Sequence, residues 1–338
     1  MGNLPSFLIW SNNYVIIWNE KRKDYVMNKE NDKILFLESP LREMIWGGKY
    51  FKNVLGLAKD DKNYGEYWSI SGYSSLPSII KNGKYQGMAL DKLYKENHEL
   101  FSNSTSVDFP ILVKLIATSA DLSVQVHPDD EYAKRDNDLG KTESWLIISS
   151  DYGKIVYGHT AKTKEELVNM ARSNDFSFLK YHDVKKGMFV KVPSGTIHAL
   201  GKGLVLLEVQ QSSNLTYRLY DYDRLGLDGK KRELHLDKAL DVIKVPDNLV
   251  IDDVDYIDSR DDFTLWDNEY FNIRLVNVRR KIRFLNDDHK YYLCTVARGY
   301  FKYDGIVVKT GESFIVTSKA VDEVITGKGK LLIVESYR

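Results

Sequence analysis

The sequence predicts a mainly β protein, built as sandwiches or barrels of short strands with a few short helices inserted. Three observations lead there. Short apolar runs punctuated by Gly, Asn and Asp recur along most of the chain, at residues 111–117 (ILVKLIA), 122–127, 144–149, 188–192, 204–210, 292–297 and 313–317. Evenly spaced short strands of this kind belong to sandwiches and barrels. Helical periodicity is confined to three stretches, and an all-β run at residues 263–338 follows an acidic, weakly periodic segment at 245–262.

The three helical stretches are each marked differently. Residues 90–101 set Leu90, Leu93, Tyr94 and Phe101 on one face. Residues 164–173 follow a capping box, Thr163 with Glu166, and carry Leu167, Val168, Met170 and Ala171. Residues 235–243 place Leu236, Ala239, Leu240 and Ile243 at helical spacing. The expected organisation is a metal-binding β domain with helical insertions over residues 32–250 and a second β domain over 251–338. That second domain has His289 as its one histidine and is expected to lack metal ligands. Residues 1–31 read as an N-terminal extension, with Met27 as an alternative start. Its apolar patches are too short to span a bilayer and lack a basic flank, although Met1 to Ser6 formally fits a myristoylation pattern.

Composition narrows the function classes. Of 338 residues, 43% are hydrophobic and 28% charged, an ordinary globular balance. Lys plus Arg and Asp plus Glu number 48 each, so no bulk field draws the chain to nucleic acid or to a membrane. An anionic ligand therefore needs a local cationic cluster. The single cysteine, Cys294, excludes an intrachain disulfide and a thiolate metal cluster, points to a cytoplasmic protein, and reads as a small buried hydrophobe on a strand.

Chemistry concentrates in two segments. In Leu122-Ser-Val-Gln-Val-His127, strand alternation puts Gln125 and His127 on one face and Val124 and Val126 on the other. Two polar side chains on an inner face are expensive unless something binds them. Taken alone, the pair would more often be a hydrogen-bonded core histidine and its neighbour. The second segment runs from Gly187 to His198 with the spacing G-x5-P-x-G-x2-H, through Pro193 and Gly195. It resembles the second metal-binding motif of the cupin superfamily, which implies two jelly-roll units. The superfamily's usual H-x-H is replaced by Gln125-x-His127, with Glu143 following in Gly-Lys-Thr-Glu. A donor set of Gln, two His and Glu without thiolate suits Zn²⁺, and also Fe²⁺, Mn²⁺ or Co²⁺. Further on, Arg218 and Arg224 suggest an anion site. The plainer reading pairs them with Asp221 and Asp223.

Taken together, several collinear segments resemble the type I mannose-6-phosphate isomerases (phosphomannose isomerases) in their short bacterial form. They are PLREMIWGG from Pro40, GEYWSIS from Gly65, QVHPDDEYA, LGKTESW, YGHT from Tyr157, VPSGTIHALGKG and TYRLYDYDR, spanning roughly residues 33–245. The resemblance implies one zinc per chain held by Gln125, His127, Glu143 and His198. It implies that Arg218 is the essential arginine, that Lys141 contacts substrate or moves protons, and that Ser123 and Lys114 line the pocket. Arg224 is a candidate phosphate contact. The expected reaction interconverts mannose 6-phosphate and fructose 6-phosphate through a cis-enediolate, with a sugar phosphate as the partner and the protein a monomer or weak homo-oligomer. One position departs from the family. Asn214 stands where an Asp is usual, and an amide exchanges no proton near neutral pH. Two rival readings stay open: an Fe(II) cupin dioxygenase, whose ligands are also two His and one carboxylate, and a non-catalytic sugar-phosphate-binding cupin, which the Asn214 change favours. The remaining histidines, His98, His159, His182, His235 and His289, read as hydrogen-bonded or exposed, and Asp129-Asp130 as turn formers.

Overall fold

In the computed structural model, the structure describes residues 30–286 and 288–338, and of the segment before them only the backbone of the strands Leu8–Ser11, Tyr14–Asn19 and Arg22–Asn28. The expected extension over residues 1–31 falls largely outside the described residues. From residue 30 on, the chain divides into two compact units. One is built from residues 30–39, 69–109 and 260–338, the other from Pro40–Trp68 and Pro110–Ser259. No described helix is long and apolar enough to cross a membrane.

The first unit is an antiparallel sheet in the order Phe263–Asp267, Phe271–Val278, Asp322–Ser336, Tyr292–Tyr303, Ser313–Val316, Ile34–Glu38 and Ile79–Ile80. Its core gathers Ile34, Phe36, Val296, Phe301, Phe314 and Ile333. Cys294 sits in this core, and burial pushes its thiol far above the ordinary range, so it packs as a hydrophobe. Helix Leu90–Glu96 buries Leu90, Leu93 and Tyr94. The stretch expected as one helix over 90–101 is in fact two, because Asn97 leaves helical geometry (φ −141°) before a 3₁₀ turn at His98–Phe101.

The second unit holds two antiparallel sheets. Six strands run in the order Phe189–Val192, Glu143–Ser150, Leu204–Gln211, Ile111–Ala117, Tyr64–Ile70 and Leu41–Gly48. Five run in the order Leu179–Asp183, Lys154–His159, His198–Leu200, Val124–Val126 and Tyr217–Tyr220. Side-chain alternation gives the five-stranded sheet two different faces. Its inner face contributes Ile155, Tyr157 and Leu200 to a core shared with Trp145, Ile147 and Leu206 of the six-stranded sheet. Its outer face carries Val124, Val126, Val156, Ala199, Tyr217 and Leu219, and the helices Lys164–Arg172 and Leu236–Val242 cover it with Leu167, Ala171, Ala239 and Leu240. Thr163 caps the first of these helices by accepting the Glu166 backbone N–H, as the capping box predicts.

Because Leu167 is fully buried in that outer layer, its truncation should leave a cavity. Leu167→Ala is expected to lower unfolding stability by about 2–5 kcal/mol, read from urea midpoints. A loss below about 0.5 kcal/mol, the range of a surface substitution, would contradict the packing described.

Candidate metal centre

The site starts from strand pairing. Gln125 lies opposite His198 on one side and opposite Arg218 on the other, so His198, Gln125 and Arg218 form one row across three adjacent strands. Since Val124 and Val126 face the outer helices, Gln125 must face inward. His127 follows directly, and its carbonyl accepts the Gly195 N–H at 2.8 Å, which ties the turn of the second motif to this strand. Gly195 has φ +84°, and an added Cβ would meet the Val242 carbonyl oxygen at 2.9 Å, so the turn needs glycine there. The six-stranded sheet supplies a second row, Trp145, Glu208 and Lys114, again opposite one another in register. Trp145 meets the His198 ring edge-on with centroids 5.5 Å apart, which brings the two rows face to face.

One ligand atom each from His127, Glu143 and His198 falls within 4.8 Å of the others, and all three residues are buried. Nε2 of His127 is 3.4 Å from one carboxylate oxygen of Glu143, and Nε2 of His198 is 3.3 Å from the other. Each imidazole has a backbone carbonyl at Nδ1: Leu215 at 2.8 Å for His127 and Thr196 at 3.0 Å for His198. Nδ1–H donation to those carbonyls leaves both Nε2 lone pairs aimed at the carboxylate, the arrangement that prepares histidine for a metal. Burial, aided by the Lys141 cation, pushes His127 down to about 3, and burial also lowers His198, so both rings are neutral. Burial by itself would raise Glu143, but the Lys141 cation, 2.8 Å away, outweighs it and holds the carboxyl well below its usual range. Two neutral nitrogen donors and one carboxylate on a common point fit a divalent cation. The Gln125 amide is within reach as a fourth donor, its nitrogen 3.3 Å from Nε2 of His198 and its oxygen accepting from Ser123 Oγ at 3.3 Å. Lys141 lies against the same donors, with Nζ 3.0 Å from Nε2 of His127 and 2.8 Å from Glu143.

Beside these groups is a cavity of ≈ 120 Å³. Ser123, Gln125, Lys114, Lys141 and Arg218, all expected from the sequence, line it. Lys114 donates to Glu208 at 3.0 Å and Gln210 at 2.7 Å, and the Trp145 indole N–H donates to the other oxygen of Glu208 at 3.2 Å. Burial, with Glu143 as a like charge nearby, pushes Glu208 upward. Arg224 is different. It does not line the cavity; its Nε donates to Asp221 at 2.9 Å and Nη1 to the Asp121 carbonyl, which is the ion pairing that the plainer reading expected. Asp129 caps helix Asp130–Ala133, and His159 has the Lys244 carbonyl at Nε2, so both are structural. Sequence reasoning assigned no role to Arg42, Glu66 or Arg232, which also line the cavity. The segments holding Arg42 and Glu66 were already visible as part of the resemblance, whereas Arg232 ends the run Lys230-Lys231-Arg232, which carries no local signal of a site.

A family model described as phosphomannose isomerase type I, catalytic domain, matches residues 34–144. The chain is 48% identical over 214 residues to the mannose-6-phosphate isomerase of Streptococcus mutans serotype c, covering 62% of this chain and 68% of that protein. The crystal structure of the mannose 6-phosphate isomerase from Bacillus subtilis is similar at a TM-score of 0.82 and 37% identity, over 90% of this chain and 100% of that one. A mannose 6-phosphate isomerase bound with zinc and yttrium shares the fold at a TM-score of 0.72 and 15% identity, over 90% of this chain and 99% of that one.

A pH dependence follows from the buried imidazole. Unfolded, His127 takes up a proton near 6.5; folded, it resists protonation down to about 3. Between those values the unfolded state binds more protons, so the stabilising contribution is complete above 6.5 and is lost as the pH falls. Glu143, held low, loses its contribution in the same direction. For metal-free protein, urea midpoints should fall from pH 7 to pH 5, by at most about 1.4 kcal/mol per pH unit for each such proton. His127→Gln should flatten the slope, and parallel slopes for the two proteins would contradict the assignment.

Proposed function

The chain belongs to the type I phosphomannose isomerases, and from that premise we propose that it interconverts mannose 6-phosphate and fructose 6-phosphate. The observation that carries this reading is the convergence of His127, Glu143 and His198 beside a cavity rich in cations. The reaction moves a proton between the carbons beside a carbonyl, by way of a cis-enediolate, and needs the developing charge on two neighbouring oxygens to be stabilised.

We assign Gln125, His127, Glu143 and His198 as the ligands of one divalent ion, with zinc the best match to nitrogen and oxygen donors in a buried site. When bound, such an ion polarises the substrate's oxygens as a Lewis acid. Everything else falls to side chains of this protein. Arg218 faces the cavity with its Nε buried and without a hydrogen-bond partner, so it can orient the open-chain sugar and neutralise enediolate charge. Lys141, fixed between His127 and Glu143, can hand a proton to or from a substrate oxygen. Glu208 is the second proton carrier. Its raised pKa suits a carboxyl that takes and returns a proton, and Lys114 with Trp145 fixes its orientation. Asn214 plays a positioning part in this reading, its amide oxygen accepting from Arg42 at 3.3 Å.

The test couples metal analysis to turnover of mannose 6-phosphate into fructose 6-phosphate. Wild-type protein should hold about one equivalent of metal per chain. Arg218→Ala should keep that metal and lose roughly 10²–10³-fold in kcat. Near-normal turnover by Arg218→Ala rejects its role, and sugar-phosphate binding without any interconversion by the wild type rejects the isomerase reading in favour of a binding protein.

A further inference from the structure

Three guanidinium groups, from Arg42, Arg218 and Arg232, line the cavity, and each keeps donors that the protein does not use. Arg218 donates through Nη1 to the Glu233 carbonyl at 3.4 Å, its Nε is buried without a partner, and among the described residues no carboxylate pairs with it. Arg232 spends Nε and Nη2 on the two oxygens of Asp221, with Nε to Oδ2 at 2.7 Å, which leaves Nη1 without a protein acceptor. Arg42 lies over the Trp68 ring at 5.5 Å and gives Nη1 to Asn214, with Glu66 3.6 Å away. Compensation is incomplete. Asp221 is one carboxylate shared by Arg224 and Arg232, and Arg218 has none. Burial first, and then the neighbouring charge of Arg232, disfavour the charged form of Arg218, against the smaller opposing pull of Asp221 and Glu233. Nη1 of Arg232 and Nε of Arg218 are thus donors left over for an anion that enters the cavity.

Resting on the isomerase reading, we infer that Arg232, positioned by Asp221, joins Arg42 to form the subsite for the substrate's phosphate, with Arg218, in register beside Gln125, left to the reacting end of the sugar, and that Arg224 stands behind Arg232 as a brace on Asp221. A phosphate dianion presents three terminal oxygens, enough to accept from both guanidinium groups at once. Arg224 does not serve in this way, because Asp221 and the Asp121 carbonyl hold its Nε and Nη1 and it is not among the residues that line the cavity. Asp221 is nearly fully buried, so the carboxylate that sets the Arg232 fork is itself fixed.

Arg232→Gln decides the matter. The KM for mannose 6-phosphate should rise roughly 10- to 100-fold, the loss of one charge-assisted pair, with kcat and metal content little changed. Competitive inhibition by inorganic phosphate should weaken in parallel. Arg232→Lys should fall between, keeping the charge but not the fork, and Asp221→Asn should raise KM by a smaller factor. An unchanged KM and unchanged phosphate inhibition in folded Arg232→Gln overturn the inference, as does an equal rise from Arg224→Gln. Should Arg232→Gln not fold, Arg42→Gln gives the same readouts: a raised KM with weakened phosphate inhibition supports the subsite, and no change in either overturns it. If the wild type does not turn over mannose 6-phosphate, the isomerase reading fails, and calorimetry with inorganic phosphate settles the subsite separately. Binding by the wild type that Arg232→Gln loses supports it, and equal binding or none by the wild type overturns it.

Discussion

Everything at the site depends on one pairing register: Gln125 opposite both His198 and Arg218 in a five-stranded sheet. Because side chains alternate along a strand, a slip of one residue would turn this polar row to the helices outside and bring Val124 and Val126 in. The register is held by what lies on both faces. Outside, valines and tyrosines pack against Leu167, Ala171, Ala239 and Leu240; inside, Ile155, Tyr157 and Leu200 pack against the other sheet. Hydrophobic packing, which is not directional, thus fixes the direction of groups whose chemistry is.

The second sheet brings the opposite set of demands. Glu143, Glu208, Lys114 and Lys141 are all nearly fully buried, and a buried charge is tolerated only when paired and hydrogen-bonded. Each is: Lys114 with Glu208 at 3.0 Å, and Lys141 with Glu143 at 2.8 Å. Removing one partner would strand the other, so these groups are fixed in place by the same energetics that make them costly. The outcome is a site whose carboxylates differ, Glu143 held low by the Lys141 cation and Glu208 pushed upward by burial. In the proposed reaction that separation gives the two carboxylates different parts, one as a standing negative charge and one as a proton carrier.

Much of this was legible in the chain. Alternation along residues 122–127 pointed Gln125 and His127 the same way, and the Gly187, Pro193, Gly195 and His198 spacing marked the turn that delivers the second histidine. Two helices begin and end within a residue or so of expectation, since capping and periodicity are local properties. What escaped was carried by long-range pairing. Strand Ile34–Glu38 pairs with Ser313–Val316, nearly three hundred residues away, and no local composition announces that. Arg42 meets Asn214 across 172 residues. Arg224 looked like an anion contact because it is a cation close in sequence to a ligand strand, yet its spacing of three from Asp221 makes local pairing the easier outcome. Arg232 returns to the same carboxylate through the turn that joins Gly226 to Lys230, and so takes the place on the cavity wall.

The central claim is that donors from two sheets close on a single ion. Anomalous diffraction at the zinc absorption edge, on crystals grown with zinc, tests it most directly. The account predicts one strong peak per chain within bonding distance of Nε2 of His127, Nε2 of His198 and the Glu143 carboxylate. No peak there, or zinc held only at surface carboxylates and histidines, would contradict it.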